Sequence, residues 1–214
     1  HESVTIMFAD FEGFSRLAEQ IEPKSLIEQL DQFFSAFDAI AERHRLEKLK
    51  TIGDAYMCVG GLPEPNRTHD VDGCLAALSL IEFMRRTNTQ RERLHLPRWE
   101  LRIGIHSGPV MAGVVGKTKF IYDVWGDAVN IAARLEAAGG AGRINVSDTG
   151  YSRVRNLMEF EPRGAVEVKN KAPINMHFLT RIKPEFSRDP EGMRPNDAFQ
   201  RECERLFPGY RAVA

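Results

Sequence analysis

The hydrophobic residues of this chain change period repeatedly, and that alternation limits its fold more than any other feature. Residues 4–9 form a β-prone, largely apolar run that stops abruptly at Asp10 and Gly13, the pattern of a buried strand followed by a turn. After Pro23 the pattern lengthens, with Leu26, Leu30, Phe33, Phe34, Phe37, Ile40 and Ala41 recurring every three or four residues. That spacing predicts one long amphipathic helix laid on a sheet, its aromatic stripe serving as core rather than as a cofactor site.

Residues 46–52 and 56–59 are strand-like runs on either side of Gly53-Asp54-Ala55, so a tight hairpin is expected with Asp54 at its tip. A second helix is expected after residues 66–70; it carries Val71, Cys74, Leu75, Leu78, Ile81 and Phe83 and closes before Pro97. Residues 99–106 alternate as a half-buried strand should, and residues 110–115 continue in β-prone residues around Gly108 and Gly113, which predicts a second hairpin. A short helix over 127–138, a strand at 144–146 and late strands near 166–168 and 176–182 complete the pattern. The reading is an α+β fold, a mixed and mostly antiparallel sheet with helices packed on it. Residues 1–182 are expected to form the domain, and residues 183–214, rich in Pro, Arg, Asp and Glu with a short helical stretch over 199–207, a peripheral tail.

Composition narrows the class. A chain of 214 residues that is 43% hydrophobic and 28% charged suits one folded domain. With 29 basic and 30 acidic residues its net charge is −1, so no overall field would hold nucleic acid, and any anion site must be local. Cys58, Cys74 and Cys203 are odd in number and lack CxxC spacing, which argues against a disulfide framework or a zinc knuckle and for a reducing, cytoplasmic compartment. No apolar run approaches the roughly 18 to 20 residues of a membrane span. The chain opens at His1, close to a strand, as a domain cut from a longer protein would; an upstream regulatory or membrane segment is expected.

Three clusters could carry chemistry. Asp10 precedes Phe11-Glu12-Gly13-Phe14-Ser15, a turn at the start of a helical segment whose backbone N–H groups can receive phosphate oxygens. Asp54, at its hairpin tip, would meet Asp10 if the hairpin pairs beside the first strand. Two carboxylates are enough protein for Mg²⁺ when substrate phosphates complete the shell, although either Asp alone reads more simply as a cap or turn residue. In Asp123-Val124-Trp125-Gly126-Asp127-Ala128-Val129-Asn130-Ile131-Ala132-Ala133-Arg134, the residues Asn130 and Arg134 stand four apart and share one helix face. A lone Arg there would read as solvated surface.

Together these segments resemble the class III nucleotidyl cyclases, the family of adenylate and guanylate cyclase catalytic domains. The likeness runs from about Val4 to about Phe178 and is strongest at residues 8–15, 50–56, 102–108 and 122–134. It implies a ferredoxin-like, cyclase-palm sandwich in which Asp10 and Asp54 bind two divalent cations, Mg²⁺ or Mn²⁺. Phe11, Glu12, Gly13, Phe14 and Ser15 would cradle the triphosphate, Asn130 would orient the ribose and Arg134 would meet charge on the phosphate in the transition state. Lys169, in the late strand region, would bind the triphosphate in preference to Lys171; the family commonly has a Gly at the place of Asn170. Lys117 and Lys119 are further candidates for the phosphate tail.

In this family a Lys and an Asp read adenine, whereas guanylate cyclases carry a Glu and a Cys or similar small residue. This chain has Lys50 and Asp123, so the resemblance implies ATP as substrate and cyclic AMP as product. It also implies a head-to-tail homodimer with two equivalent sites, each combining the metal ligands of one protomer with Lys50, Asp123, Asn130 and Arg134 of its partner. The alternatives are the same enzyme using GTP, a catalytically silent regulatory domain, and a polymerase-palm relative. The silent domain is opposed by the presence of Asp10, Asp54, Asn130 and Arg134. The polymerase-palm relative is opposed by the lack of a basic track or a Gly-Gly-acidic-acidic-Phe signature.

Overall fold

The computed structural model describes residues 1–116, 118, 120–168 and 171–210; the side chains of Val168 and Lys171 are not described. Lys117, Lys119, Lys169 and Asn170 therefore lie outside the described residues.

The chain builds β1 (Val4–Glu12), α1 (Phe14–Ala18), α2 (Pro23–Arg43), β2 (Leu46–Ile52), β3 (Ala55–Gly60), α3 (His69–Arg93), β4 (Glu100–Gly108) and β5 (Met111–Val115). It continues through β6 (Ile121–Trp125), α4 (Asp127–Ala137), β7 (Ile144–Ser147), α5 (Asp148–Val154), β8 (Met158–Val168), β9 (Lys171–Ile182) and α6 (Asp197–Leu206). Seven strands form one sheet in the order β2-β3-β1-β4-β7-β9-β8. Only β4 and β7 pair in parallel, so the sheet is mixed and mostly antiparallel as expected.

Alternation along β1 divides the protein into two packed faces. Met7, Ala9 and Phe11 point into a core with α2 and α3, where Phe11 meets Trp99 edge-on at 4.9 Å and Phe37 meets Tyr56 edge-on at 5.6 Å. The aromatic stripe of α2 is core, as its spacing implied. Val4, Ile6 and Phe8 point the other way, against Ala128 and Ala132 of α4. On that face α4 rides directly on backbone, because a Cβ built on Gly104 of β4 would lie 2.1 Å from the Glu136 nitrogen and 2.7 Å from the Ala132 oxygen. Gly104→Ala should therefore cost about 1–3 kcal/mol through overpacking. Denaturant unfolding measures it, and an unchanged midpoint would disprove the close contact.

Three expectations are corrected. Strand β1 does not stop at residue 9: β4 pairs along it through Asp10↔Arg102, Phe11↔Leu101 and Glu12↔Glu100, so Asp10 lies on the strand. Residues 99–115 do not make a hairpin. The β5 strand leaves the sheet and pairs with β6 in a separate two-stranded ribbon, because β4 is already flanked by β1 and β7. The segment from Lys183, expected at the periphery, sends Met193, Phe199, Cys203 and Tyr210 into the main core. Phe199 and Cys203 are four apart on α6, which gives that short helix an apolar side to bury. Among the described residues no helix is long and apolar enough to cross a membrane.

Candidate active site

At the end of the sheet where β3 gives out, β1 continues beside β4 alone: β3 reaches β1 only as far as Ala9↔Tyr56. Asp10 is the next residue, and the β2–β3 turn lies beside it. Gly53 makes that turn possible at φ 64°, a left-handed conformation that suits glycine. The turn carries Asp54 close enough for its carboxyl to feel Asp10 directly. Burial first, then a hydrogen bond and the like charge from Asp10, push the Asp54 pKa up to about 7. The sequence expectation that these two aspartates, 44 positions apart, share one space agrees with this geometry.

Arginine sits beside them. Arg102 Nη2 donates to Asp10 Oδ2 at 2.8 Å, and its Nε faces Glu136 of α4. Glu136 is nearly buried; burial raises its pKa to about 7 even though Arg102 opposes the shift. The sequence reading assigns a role to neither Arg102 nor Glu136. Arg102 takes a polar position in the alternation of β4, on the side facing Asp10, and so looks ordinary there, whereas Glu136 falls four residues after Ala132 within the buried stripe of α4. An acid in an apolar stripe needs a partner, and Arg102 is that partner.

One oxygen of Asp10 remains uncommitted: Oδ1 is buried with no hydrogen-bond partner among the described residues. Two repelling carboxylates, one of them with an unmet buried oxygen, fit a divalent cation, which would supply the missing positive charge. Among the described residues no three His, Cys, Asp or Glu side chains converge as a complete protein cage. The donor set therefore suits a hard cation that takes further oxygens from a phosphate substrate.

Phe11 spends its side chain on the core and Phe14 packs partly against it, so only the backbone and the exposed Glu12, Gly13 and Ser15 of this turn face outward. Gly13, at φ 74°, opens the five-residue α1. Lys50 and Asp123 meet across 73 residues, with Lys50 Nζ 2.5 Å from Asp123 Oδ2, joining β2 to β6; Asp123 Oδ1 also accepts from Val124 N–H at 2.9 Å. On α4, Asn130 is exposed, and Arg134 Nη1 is buried without a hydrogen-bond partner among the described residues. No hydrogen bond or ion pair joins Asn130 or Arg134 to Asp10 or Asp54 among those residues.

The structure thus pairs two carboxylates at the end of a mixed sheet and, separately, a lysine with an aspartate between β2 and β6. The sequence model of the Adenylate and Guanylate cyclase catalytic domain matches residues 1–181, and the chain belongs to that family. Relatives on both sides of the family name resemble it. An adenylate cyclase of Mycobacterium tuberculosis is 37% identical over 197 residues, covering 91% of this chain and 42% of the relative. A membrane guanylyl cyclase of Dictyostelium discoideum is 36% identical over 191 residues, covering 89% of this chain and 12% of the relative. Among solved structures, the guanylate cyclase domain of RhGC from Catenaria anguillulae in complex with GTP superposes with a TM-score of 0.80 at 34% identity, covering 85% of this chain and 98% of that one. The chain spans less than half the length of the mycobacterial relative and about an eighth of the Dictyostelium one.

Proposed function

We propose that this domain converts ATP to 3′,5′-cyclic AMP and pyrophosphate. In that reaction the ribose 3′-hydroxyl loses its proton and forms a bond to the α-phosphorus, while the bond from that phosphorus to the oxygen bridging the α- and β-phosphates breaks and pyrophosphate leaves. Such transfers depend on in-line positioning and electrostatic stabilisation more than on covalent help. Two divalent cations, Mg²⁺ or Mn²⁺, held by Asp10 and Asp54, would acidify the hydroxyl and offset phosphate charge. The chain's own residues do the rest in this reading. The backbone of residues 11–15 and Lys169 bind the triphosphate, Asn130 orients the ribose, and Arg134 meets the charge that develops on the phosphate.

The observation that carries the choice of ATP is the Lys50–Asp123 contact. A lysine can donate to adenine N1 while an aspartate accepts from the exocyclic amine; guanine would present a donor to the lysine and an acceptor to the aspartate. Mispaired groups in a closed site are penalised heavily. Incubating the purified protein with ATP or GTP and Mn²⁺, then identifying the product by mass spectrometry, tests the reading. Cyclic AMP is expected. Cyclic GMP as the main product would overturn the substrate, and absence of either would favour a silent domain.

The active unit in this reading is a head-to-tail homodimer. Arg134 and Asn130 do not contact the aspartate pair of their own chain, and the β5–β6 ribbon exposes Met111, Val114, Val115, Phe120, Ile121 and Trp125, an apolar patch suited to a second copy. Mixing an inactive Asp54→Ala protein with an inactive Arg134→Ala protein should restore activity to about a quarter of wild type, because random pairing gives half heterodimers with one intact site of two. No recovery after subunit exchange would refute the shared site.

A further inference from the structure

An arginine already occupies one of the two carboxylates assigned above to cations. Arg102 Nη2 donates to Asp10 Oδ2 at 2.8 Å, while the other oxygen, Oδ1, is buried. The Asp10 side chain is 17% exposed and that of Arg102 27%, so the pair borders solvent, but the shielded Oδ1 is not where an ion enters. The way to Asp10 leads through Arg102.

The guanidinium is held from a second side. Its Nε faces Glu136 of α4, whose side chain is 11% exposed. Main chain fixes where Glu136 sits: Gly104, two residues after Arg102 and on the same face of β4, is where the α4 backbone comes so close that a Cβ would lie 2.1 Å from the Glu136 nitrogen. Arg102 thus bridges a carboxylate on β1 through Nη2 and a carboxylate on α4 through Nε. A guanidinium presents its N–H groups in a fork, so it can release one partner and keep the other. All three side chains are less than a third exposed, which leaves their charges less screened than those of surface pairs.

We propose that Arg102 is an internal counter-cation that competes with divalent cations for Asp10, and that Glu136 retains the guanidinium through Nε when a cation takes Oδ2 from Nη2. A guanidinium and a divalent cation repel, so both cannot hold one carboxylate oxygen. Without Glu136 the displaced arginine would be left as a partly buried charge with no partner, beside a like charge. The proposal rests on the assignment of Asp10 and Asp54 as metal ligands, and it adds two positioning residues that set how tightly that pair takes up metal.

Mn²⁺ uptake by the intact chain in the absence of nucleotide, followed by the electron paramagnetic resonance signal of the free ion, tests this as binding rather than turnover. The Arg102→Met/Glu136→Gln protein loses one charge of each sign and keeps both shapes, so the net charge around Asp10 is unchanged while Oδ2 is freed. It should bind Mn²⁺ at least about tenfold more tightly than wild type. Glu136→Gln alone, which leaves the guanidinium on Asp10, should bind no more tightly than wild type. Equal or weaker affinity in the double variant, or tightening in Glu136→Gln, would overturn the competition. Asp54→Ala separates this from the underlying assignment. If it weakens uptake while wild type and double variant bind alike, the competition alone fails; if it leaves uptake unchanged, the aspartate assignment fails and the proposal with it.

Discussion

Asp54→Ala should lower turnover at least about a thousandfold, equivalent to about 4 kcal/mol of lost transition-state stabilisation, while leaving the fold intact. Fold retention follows from position. Asp54 sits at a hairpin tip, half exposed to solvent, and its principal close neighbour is another carboxylate that repels it. Removing one of two repelling charges relieves the apo protein, so its melting temperature should hold or rise even as activity disappears. Catalysis should suffer because the remaining Asp10 is already committed through Oδ2 to Arg102. One free oxygen is a poor substitute for two carboxylates gathering cations around a triphosphate. Measuring kcat with Mg²⁺ or Mn²⁺ alongside the melting temperature separates the two effects. Retained turnover would refute the assignment, and loss of activity together with collapse of the fold would refute the positional argument.

Much of the arrangement behind that result is legible in the sequence, for physical reasons that also explain what was not. The period of the apolar residues in α2 and α3 survives folding because those helices bury a continuous stripe, so Phe33, Phe37 and Leu75 lie where their spacing puts them. Strand partnership is different, because it depends on which edge is free. Residues 110–115 are as β-prone as any strand here, yet β4 has no free edge to offer them. Nothing local to their sequence records that. The extension of β1 through Asp10 is hidden for the same reason, since a charged residue ends an apolar run but need not end a ladder. Arg102 and Glu136 escaped notice because their meaning arises from register and from the close approach of α4 at Gly104. The apolar side of α6 was masked by the charged residues around it, Arg201, Glu202, Glu204 and Arg205.

Replacing Lys50 by Glu and Asp123 by Cys together should change the ratio of kcat/KM for ATP over GTP by at least about a thousandfold, the scale on which sites built around hydrogen bonds reject the wrong partner. Each change reverses one polarity. Glu accepts where Lys donated, which suits the N–H at guanine N1, and Cys no longer demands the donor that adenine's amine provides. The contact between the two residues makes the single variants informative as well. Lys50→Glu alone places a second carboxylate beside Asp123 where an ion pair stood, and Asp123→Cys alone leaves Lys50 facing no anion. Each single variant should therefore impair both nucleotides, with the pair of changes recovering GTP use that neither gives by itself, a non-additivity expected for residues in contact. Initial rates with both nucleotides for the four proteins complete the cycle. An active double variant with the wild-type ratio would show that the base is read elsewhere, and strict additivity would show that the two side chains act independently despite their contact.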